Sequence, residues 1–502
     1  MTSAPTPAPT PLDLAGIGIG PFNLSLAALA HKLTGLRTAF YEQRPAFHWH
    51  PGLMIEGTTL QVPFLADLVT LADPTSPWTF LNYLKAHERL FPFYFAEQFH
   101  IRRAEYDAYC RWVSEQLPGL HFSHRIDAVR WNPHHALFEL DYTRLTPDGQ
   151  TPGPGRAHAR NLVLGVGSAP YVPAPLRPLA SAPDIPVIHS ADYLDHRARL
   201  LAARHVTVIG SGQSGAEVFL DLLRHRPAGR ERLHWLARTP AFAPMEYSKL
   251  GLEQFTPDYT RYFHALPETV RDQLLPRQWQ LYKGIDQDTI AAIHEELYQR
   301  TLHGGWPDAV LTPGVTVHAA TSTSDGRLEL HLSHREQGNH DRLATDAVVL
   351  ATGYRERPID ALLAALDPHI RRDHSRRPRI DEHHRLVLGP AITGSIYVQN
   401  AERHTHGVGT PDLGLAAWRS AVILNSLTGH TTPSHAEEPA ARPGNPPTQH
   451  SLSTPQRRPG PRPGTPPFPL PTRTAFTSFG LRPRHGETPL PDQRDRRART
   501  RT

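Results

Sequence analysis

Two glycine-rich turns carry residue types and spacing that could do chemistry. The first, Gly18-Ile19-Gly20-Pro21-Phe22-Asn23, follows the apolar run Leu12–Ile17. The second, Gly210-Ser211-Gly212-Gln213-Ser214-Gly215, follows Val206-Thr207-Val208-Ile209. Glycines between a strand and a helix let backbone N–H groups close on a pyrophosphate at the helix N-terminus. One such turn is a weak signal. Two in one chain, each with the right flanks, predict two dinucleotides bound together, most economically FAD with NADH or NADPH. Glu42 ends the run Thr38–Tyr41, 24 residues beyond Gly18, close to where a carboxylate grips an adenosine ribose. Its bland alternative is an ordinary surface acid. Arg238 ends the run 233–237 after the second turn. An arginine there favours the 2′-phosphate of NADPH, whereas an acid would favour NADH.

Other chemistries find little footing. Cys110 is the single cysteine, so neither an intramolecular disulfide nor a paired-cysteine redox centre is available. That argues against a flavin disulfide reductase. Histidine is abundant, at 32 residues, with pairs such as His134-His135, His383-His384 and His404/His406. No His-Glu-x-x-His helix or cysteine partner accompanies them, so surface histidines and no metal site are expected. No Gly-x-Ser-x-Gly elbow and no Walker loop stands out.

The elements that must position the two turns can be read from the same rows. At 502 residues the chain can bury a large core and form more than one domain. A strand, a tight turn and a helix run from about residue 12 to 33, and the same pattern recurs over 206–223. Strands are also expected at 161–167 and 347–354, the latter buried and ending in a glycine turn that returns to the first domain. The fold class is therefore α/β: a flavoprotein with two Rossmann-like dinucleotide domains, the NADPH domain inserted in the FAD domain, plus a small, mainly helical substrate region. The expected boundaries are 1–10, a disordered N-terminus; 11–170, the first segment of the FAD domain; 171–345, the NADPH domain with substrate-region insertions; 346–430, the FAD-domain return with the substrate pocket; 431–468, a disordered Pro/Arg-rich insertion; and 469–502, a tail with a candidate docking segment.

No apolar run approaches the roughly 20 residues needed to span a bilayer. Residues 1–11, rich in Ala, Pro and Thr, lack the basic and apolar regions of a secretory signal. A cytoplasmic location is expected. The net charge is +5, yet twelve arginines and five acids fall after residue 430, so residues 1–430 are slightly acidic. The tail beyond is rich in proline (Pro443, Pro446, Pro447, Pro459) and too polar to fold alone. Its arginines are scattered and its aromatics few, so neither nucleic acid nor a membrane is expected as a partner. The segment 476–481, with Phe476, Phe479 and Leu481, is apolar enough to dock back.

Several longer segments resemble the flavin-dependent N-hydroxylating monooxygenases, the lysine and ornithine N-hydroxylases of siderophore biosynthesis. They are 16–27, Phe47-His48-Trp49-His50-Pro51-Gly52, 73–84, 210–217, Ala351-Thr352-Gly353-Tyr354, Thr405-His406-Gly407 and Ala417-Trp418-Arg419-Ser420. The resemblance covers about residues 10–430. The segment 473–481 resembles the actinobacterial branch that hydroxylates cadaverine for desferrioxamine-type siderophores; 431–468 departs from that branch. The resemblance implies that Gly18, Gly20, Pro21 and Asn23 cradle the FAD pyrophosphate and Glu42 holds the ribose. Trp49, His50 and Gln61 would line the isoalloxazine, and Thr352 and Gly353 also belong to the cofactor site. Ser211, Gly212, Gln213, Ser214 and Arg238 would hold NADPH.

The flavin carries the chemistry in this family, through a C4a-hydroperoxyflavin that an uncharged amine attacks, so no side chain is assigned a catalytic role. Lysine and ornithine hydroxylases carry a lysine for the substrate carboxylate in the segment matching 61–67, where this chain has Ala66. Leu252, Leu281 and Gly414 match other contacts of the amino-acid end. The chain is thus expected to hydroxylate an aliphatic diamine, cadaverine before putrescine, with molecular oxygen. L-Lysine or L-ornithine is the alternative substrate, a carbon-oxidising monooxygenase an alternative reaction, and a dinucleotide-binding sensor the non-enzymatic alternative. A homo-oligomer is expected.

Overall fold

The computed structural model describes residues 10–146, 153–180, 186–302 and 304–429. The expected disordered N-terminus (apart from Thr10), the insertion 431–468 and the tail 469–502 lie outside these residues. The chain opens with β1 (Leu12–Ile17), α1 (Pro21–Ala30) and β2 (Thr38–Tyr41), then three helices: α2 (Phe80–Ala86), α3 (Leu90–Ala96) and α4 (Arg103–Gln116). β3 (Leu120–His121), β4 (His124–Asn132), β5 (Leu137–Arg144) and β6 (Pro154–Leu164) follow. A short strand, β7 (Ser168–Pro170), leads to α5 (Arg177–Ala180), β8 (Val187–His189) and α6 (Tyr193–Ala202). The second turn lies between β9 (Val206–Ile209) and α7 (Gln213–His225), with β10 (Leu233–Leu236) next.

Four helices interrupt the second unit: α8 (Pro257–Ala265), α9 (Glu268–Arg277), α10 (Gln280–Lys283) and α11 (Gln287–Thr301). β11 (Ala309–Thr312), the meander β12 (Val315–Ser322), β13 (Leu328–His334) and β14 (His340–Thr345), and then β15 (Ala347–Leu350) complete it. β16 (Tyr354–Glu356), β17 (Ile396–Val398), α12 (Arg403–His406) and α13 (Ala416–Leu427) close the described chain.

Two sheets carry the two turns. The first has the order β3-β2-β1-β6-β5-β4, with β17 also parallel to β6. Its parallel core sets Ile17 beside both Tyr41 and Leu164. One face is covered by α1, α4 and α13, through Leu24, Tyr109 and Leu424; the other meets Ile359, Leu366 and Ile392. The second sheet is parallel, in the order β11-β10-β9-β15-β8. Phe219 and Leu222 of α7 cover one face, and Leu328 and Leu330 of the meander cover the other. Sheets buried on both faces read as continuous apolar runs, as these strands do.

The expected destination of the strand at 347–354 needs correction. β15 lies in the second sheet, with Val348 beside Thr207 and Val187. The return to the first sheet is made by β17, so 346–350 belong with the second unit. The chain crosses between the units at β7 and β16, which pair antiparallel, Tyr354 opposite Pro170 and Glu356 opposite Ser168.

Candidate active site

The two turns are built alike. α1 and α7 are each N-capped by a glycine, Gly20 at φ −91°, ψ −179° and Gly212 at φ −94°, ψ −178°. Neither helix has a side-chain cap or an acid in its first turn, so the N–H groups and the positive end of each helix are left for an anion. A Cβ on Gly20 would meet nothing within 4 Å, which leaves the space a pyrophosphate needs. Gly18 has φ +88°, and a Cβ there would stand 2.4 Å from the Gly165 carbonyl. Gly210 has φ +132°, and a Cβ would stand 2.1 Å from the Ala351 carbonyl. Only glycine fits either position. The residues present therefore fit two dinucleotides.

Around the first turn, Asn23 is buried and shapes the loop from inside. Its Nδ2 donates to the Gly18 carbonyl at 2.8 Å, and its Oδ1 accepts from Gln399 at 2.9 Å. Glu42 accepts the Ile19 N–H at 3.0 Å and the Arg44 N–H at 3.0 Å. Burial raises its pKa, but the Arg44 guanidinium and these two N–H groups outweigh that and hold the carboxyl below the usual range. Glu42 is thus ionised at the turn, as a ribose-binding carboxylate must be.

The structure brings Trp49, His50, Thr352 and Gly353 into one region. The Trp49 N–H donates to Asp107 at 2.7 Å, and its ring meets Tyr106 and His50 edge-on at 5.1 and 5.2 Å. The His50 ring meets Tyr354 at 5.5 Å, and Tyr354 meets His189 at 5.2 Å. His189 contacts the Gly353 carbonyl at 3.1 Å, and the Thr352 hydroxyl donates to Tyr171 at 2.5 Å. Burial among protein atoms, with Arg103 and Arg44 nearby, pushes His50 down to about 4, so its ring is neutral at physiological pH. The Tyr354 hydroxyl is buried without a partner among the described residues. Gln61 is half-buried and its Nε2 donates to Thr59 at 3.2 Å.

At the second turn the polar atoms of Gln213 are engaged within the protein. Its Oε1 accepts the Asp286 N–H at 2.8 Å, and its Nε2 donates to Glu217 at 2.8 Å and to Thr289 at 3.0 Å. It pins the segment 283–289 against the turn. Ser211 and Ser214 are half-buried beside it, and Arg238 is exposed at the end of β10.

Of the four substrate-end residues, Ala66 and Gly414 meet: a Cβ on Gly414 would stand 3.9 Å from that of Ala66. Leu281 is buried at 5% exposure. Leu252 is 40% exposed on the turn Gly251–Phe255. Sequence reasoning missed Asp412, which lies on the same wall: its Oδ1 accepts the Gly414 N–H at 2.7 Å. Burial pushes Asp412 up to about 6, against the Gly414 and Leu415 N–H groups and the Arg419 guanidinium. Its carboxylate also raises the Tyr247 phenol, after burial. Arg419 is fully buried, pairs with Glu402 at 3.2 Å and donates to the Thr410 carbonyl at 2.7 Å, which fixes the loop carrying Asp412. A lone aspartate in a loop has no spacing pattern; only the Asp-x-Gly turn it caps could have drawn notice.

Glu268, Asp272 and His374 come within metal-ligand reach of one another, but Arg377 pairs with Asp272 at 2.8 Å and with Glu268 at 3.7 Å. The carboxylates are already compensated.

Two glycine turns, each leading from a parallel strand into a helix that no side chain caps, define a flavoprotein of the two-dinucleotide class. The family model for L-lysine 6-monooxygenase/L-ornithine 5-monooxygenase matches residues 10–356, and the chain belongs to this family of N-hydroxylating monooxygenases. The rhizobactin siderophore biosynthesis protein RhbE of Rhizobium meliloti is 42% identical over 427 residues, 84% of this chain and 92% of that protein. The putrescine N-hydroxylase of Shewanella oneidensis is 39% identical over 424 residues, 83% of this chain and 81% of that protein. Among solved structures, the FAD-bound cadaverine monooxygenase DfoA of Erwinia amylovora matches with a TM-score of 0.78 at 37% identity, covering 88% of this chain and all of that one.

Proposed function

We propose that this enzyme N-hydroxylates one amine of an aliphatic diamine, cadaverine before putrescine, to supply a hydroxamate siderophore. The cofactors are FAD and NADPH. Bound FAD, reduced by NADPH, activates oxygen and supplies the oxygen atom. The chain holds the cofactors at its two glycine turns and presents the amine. The observation that carries the reading is the charge of the wall where Ala66 meets Gly414: it holds the Asp412 carboxylate and, at Ala66, no cation. Asp412 attracts the distal ammonium of a diamine and repels the carboxylate of an amino acid. A reacting alkyl amine has a reference pKa near 10.4 and must lose its proton, which low-dielectric surroundings favour.

A mismatch of ~3 kcal/mol between an amino-acid carboxylate and such a wall corresponds to about a hundredfold in selectivity. The names of two relatives, a putrescine hydroxylase and a cadaverine monooxygenase, support the same substrate class. The test is kcat/KM for hydroxylamine formation with cadaverine, putrescine, L-lysine and L-ornithine. Both diamines should lead by a hundredfold or more; a lead by either amino acid overturns the reading.

Among the described residues no helix is long and apolar enough to cross a membrane, and a cytoplasmic location belongs to the proposal. So does self-association, which a single-chain mass in sedimentation at micromolar concentration would refute.

A further inference from the structure

Near the second turn three cations gather with little to balance them. Arg238 comes from the end of β10, Lys283 from the end of α10 and Arg403 from the start of α12. The Lys283 ammonium and the Arg403 guanidinium each lie 5.3 Å from the centre of the same ring, Tyr282. Arg403 and Arg238, after burial, are the charges that depress the Lys283 pKa, so all three sit within electrostatic reach. Among the described residues neither Lys283 nor Arg238 has an acidic partner, and the acid paired with Arg403, Glu356, stands 3.8 Å away. Like charges brought together raise the free energy of the folded protein unless an anion joins them.

The backbone makes the placement firm. A Cβ on Gly212 would stand 3.6 Å from the Lys283 carbonyl, so Lys283 borders the glycine that caps α7. Gly284 is pressed against Met245, where a Cβ would stand 2.4 Å from the Met245 nitrogen. The Ala243–Ile285 and Met245–Ile285 backbone bonds, at 3.0 and 2.7 Å, and the Gln213–Asp286 bond hold the segment to the turn. The backbone of Lys283 is therefore held beside the N-terminus of α7, and the side chain that leaves it is exposed.

We propose that Lys283 is a phosphate ligand of NADPH, acting with Arg238 to hold the nucleotide. The assignment rests on the second turn being the NADPH site. A lysine here contributes a point charge beside the directional arginine, and it lies outside the glycine pattern that announces the site.

Calorimetric titration of the oxidised, FAD-loaded enzyme with NADP⁺ and with NAD⁺ tests it without turnover. Lys283→Met should weaken NADP⁺ about tenfold and flatten the salt dependence of binding, while Lys283→Arg restores most of the affinity. Loss confined to NADP⁺ assigns the 2′-phosphate; equal loss for NAD⁺ assigns the pyrophosphate. Unchanged NADP⁺ affinity in Lys283→Met, with normal FAD content and melting temperature, overturns the proposal. Arg238→Ala is the companion variant. If it too leaves NADP⁺ affinity unchanged, the placing of NADPH at this turn fails; if it alone weakens binding, only the role of Lys283 does.

Discussion

In the proposed reading Asp412 is the residue on which substrate choice turns, and its ionisation makes two outcomes measurable. An acid whose folded pKa is raised costs stability wherever it must be ionised. For Asp412, raised to about 6, that cost is full above pH 6 and gone below about 4, the ordinary aspartate value. Asp412→Asn keeps an oxygen for the Gly414 N–H and removes the charge. We expect it to stabilise the substrate-free enzyme at pH 7.5 by about 1–2 kcal/mol, with solvent access allowed for, read as a higher melting temperature. The same variant should raise KM for cadaverine at least tenfold. In the parent enzyme KM should climb as pH falls through 6, because a protonated Asp412 no longer attracts the ammonium; Asp412→Asn should lack that limb. A variant both less stable and normal in KM would remove Asp412 from the site. Arg238 makes a separate claim. A charge-assisted bidentate contact to phosphate is worth roughly 1.5–3 kcal/mol, so Arg238→Ala should erode the preference for NADPH about tenfold, and equal use of NADH by the parent would sink the assignment. Ala66 was legible because a resemblance says what stands there elsewhere. Asp412 was not, because its meaning lies in the residues it faces across the fold.

Between elements, a buried ion pair ties α4 to α7 near the turns: Arg103 with Glu217. The pair is bidentate, both bonds 2.7 Å, with the side chains 11% and 5% exposed. Burial pushes Glu217 up, and Arg103 and Gln213 oppose it. Removing one partner leaves a buried charge alone, at a cost of roughly 3–5 kcal/mol, whereas replacing both with apolar groups of similar size is often near neutral. Arg103→Met should therefore lower the melting temperature markedly, and Arg103→Met with Glu217→Leu should recover most of the loss. Equal loss in the single and double variants would show that the pair itself carries the stability. Helices and turns of this kind were readable from sequence, since α1 and α7 follow directly from strand, glycine and apolar periodicity. The partners of Arg103 were not, for the two residues are 114 positions apart and no local pattern joins them.

At the scale of the whole molecule, the sequence yielded two dinucleotide units and the nesting of one in the other. It misassigned β15, because a fully buried parallel strand reads the same in either sheet; only the pairing of Val348 with Thr207 decides. The closing elements also say which segments of the chain the site requires. β17 completes the first sheet, and α13 packs Ile423 and Leu424 into its core. Asp412, Gly414 and Arg419 all precede the end of α13 at Leu427. Every residue assigned to cofactor or substrate thus lies before residue 430, while the excess of arginine and proline lies after it. Deleting 431–468 alone should leave FAD content, melting temperature and turnover with cadaverine within about twofold of the parent. Removing 476–481 as well tests whether that apolar segment adds stability, which would appear as a lower melting temperature with kcat retained. Loss of flavin on deleting only 431–468 would mean that the Pro/Arg-rich stretch contributes to the catalytic body and that the boundary at 430 is misplaced.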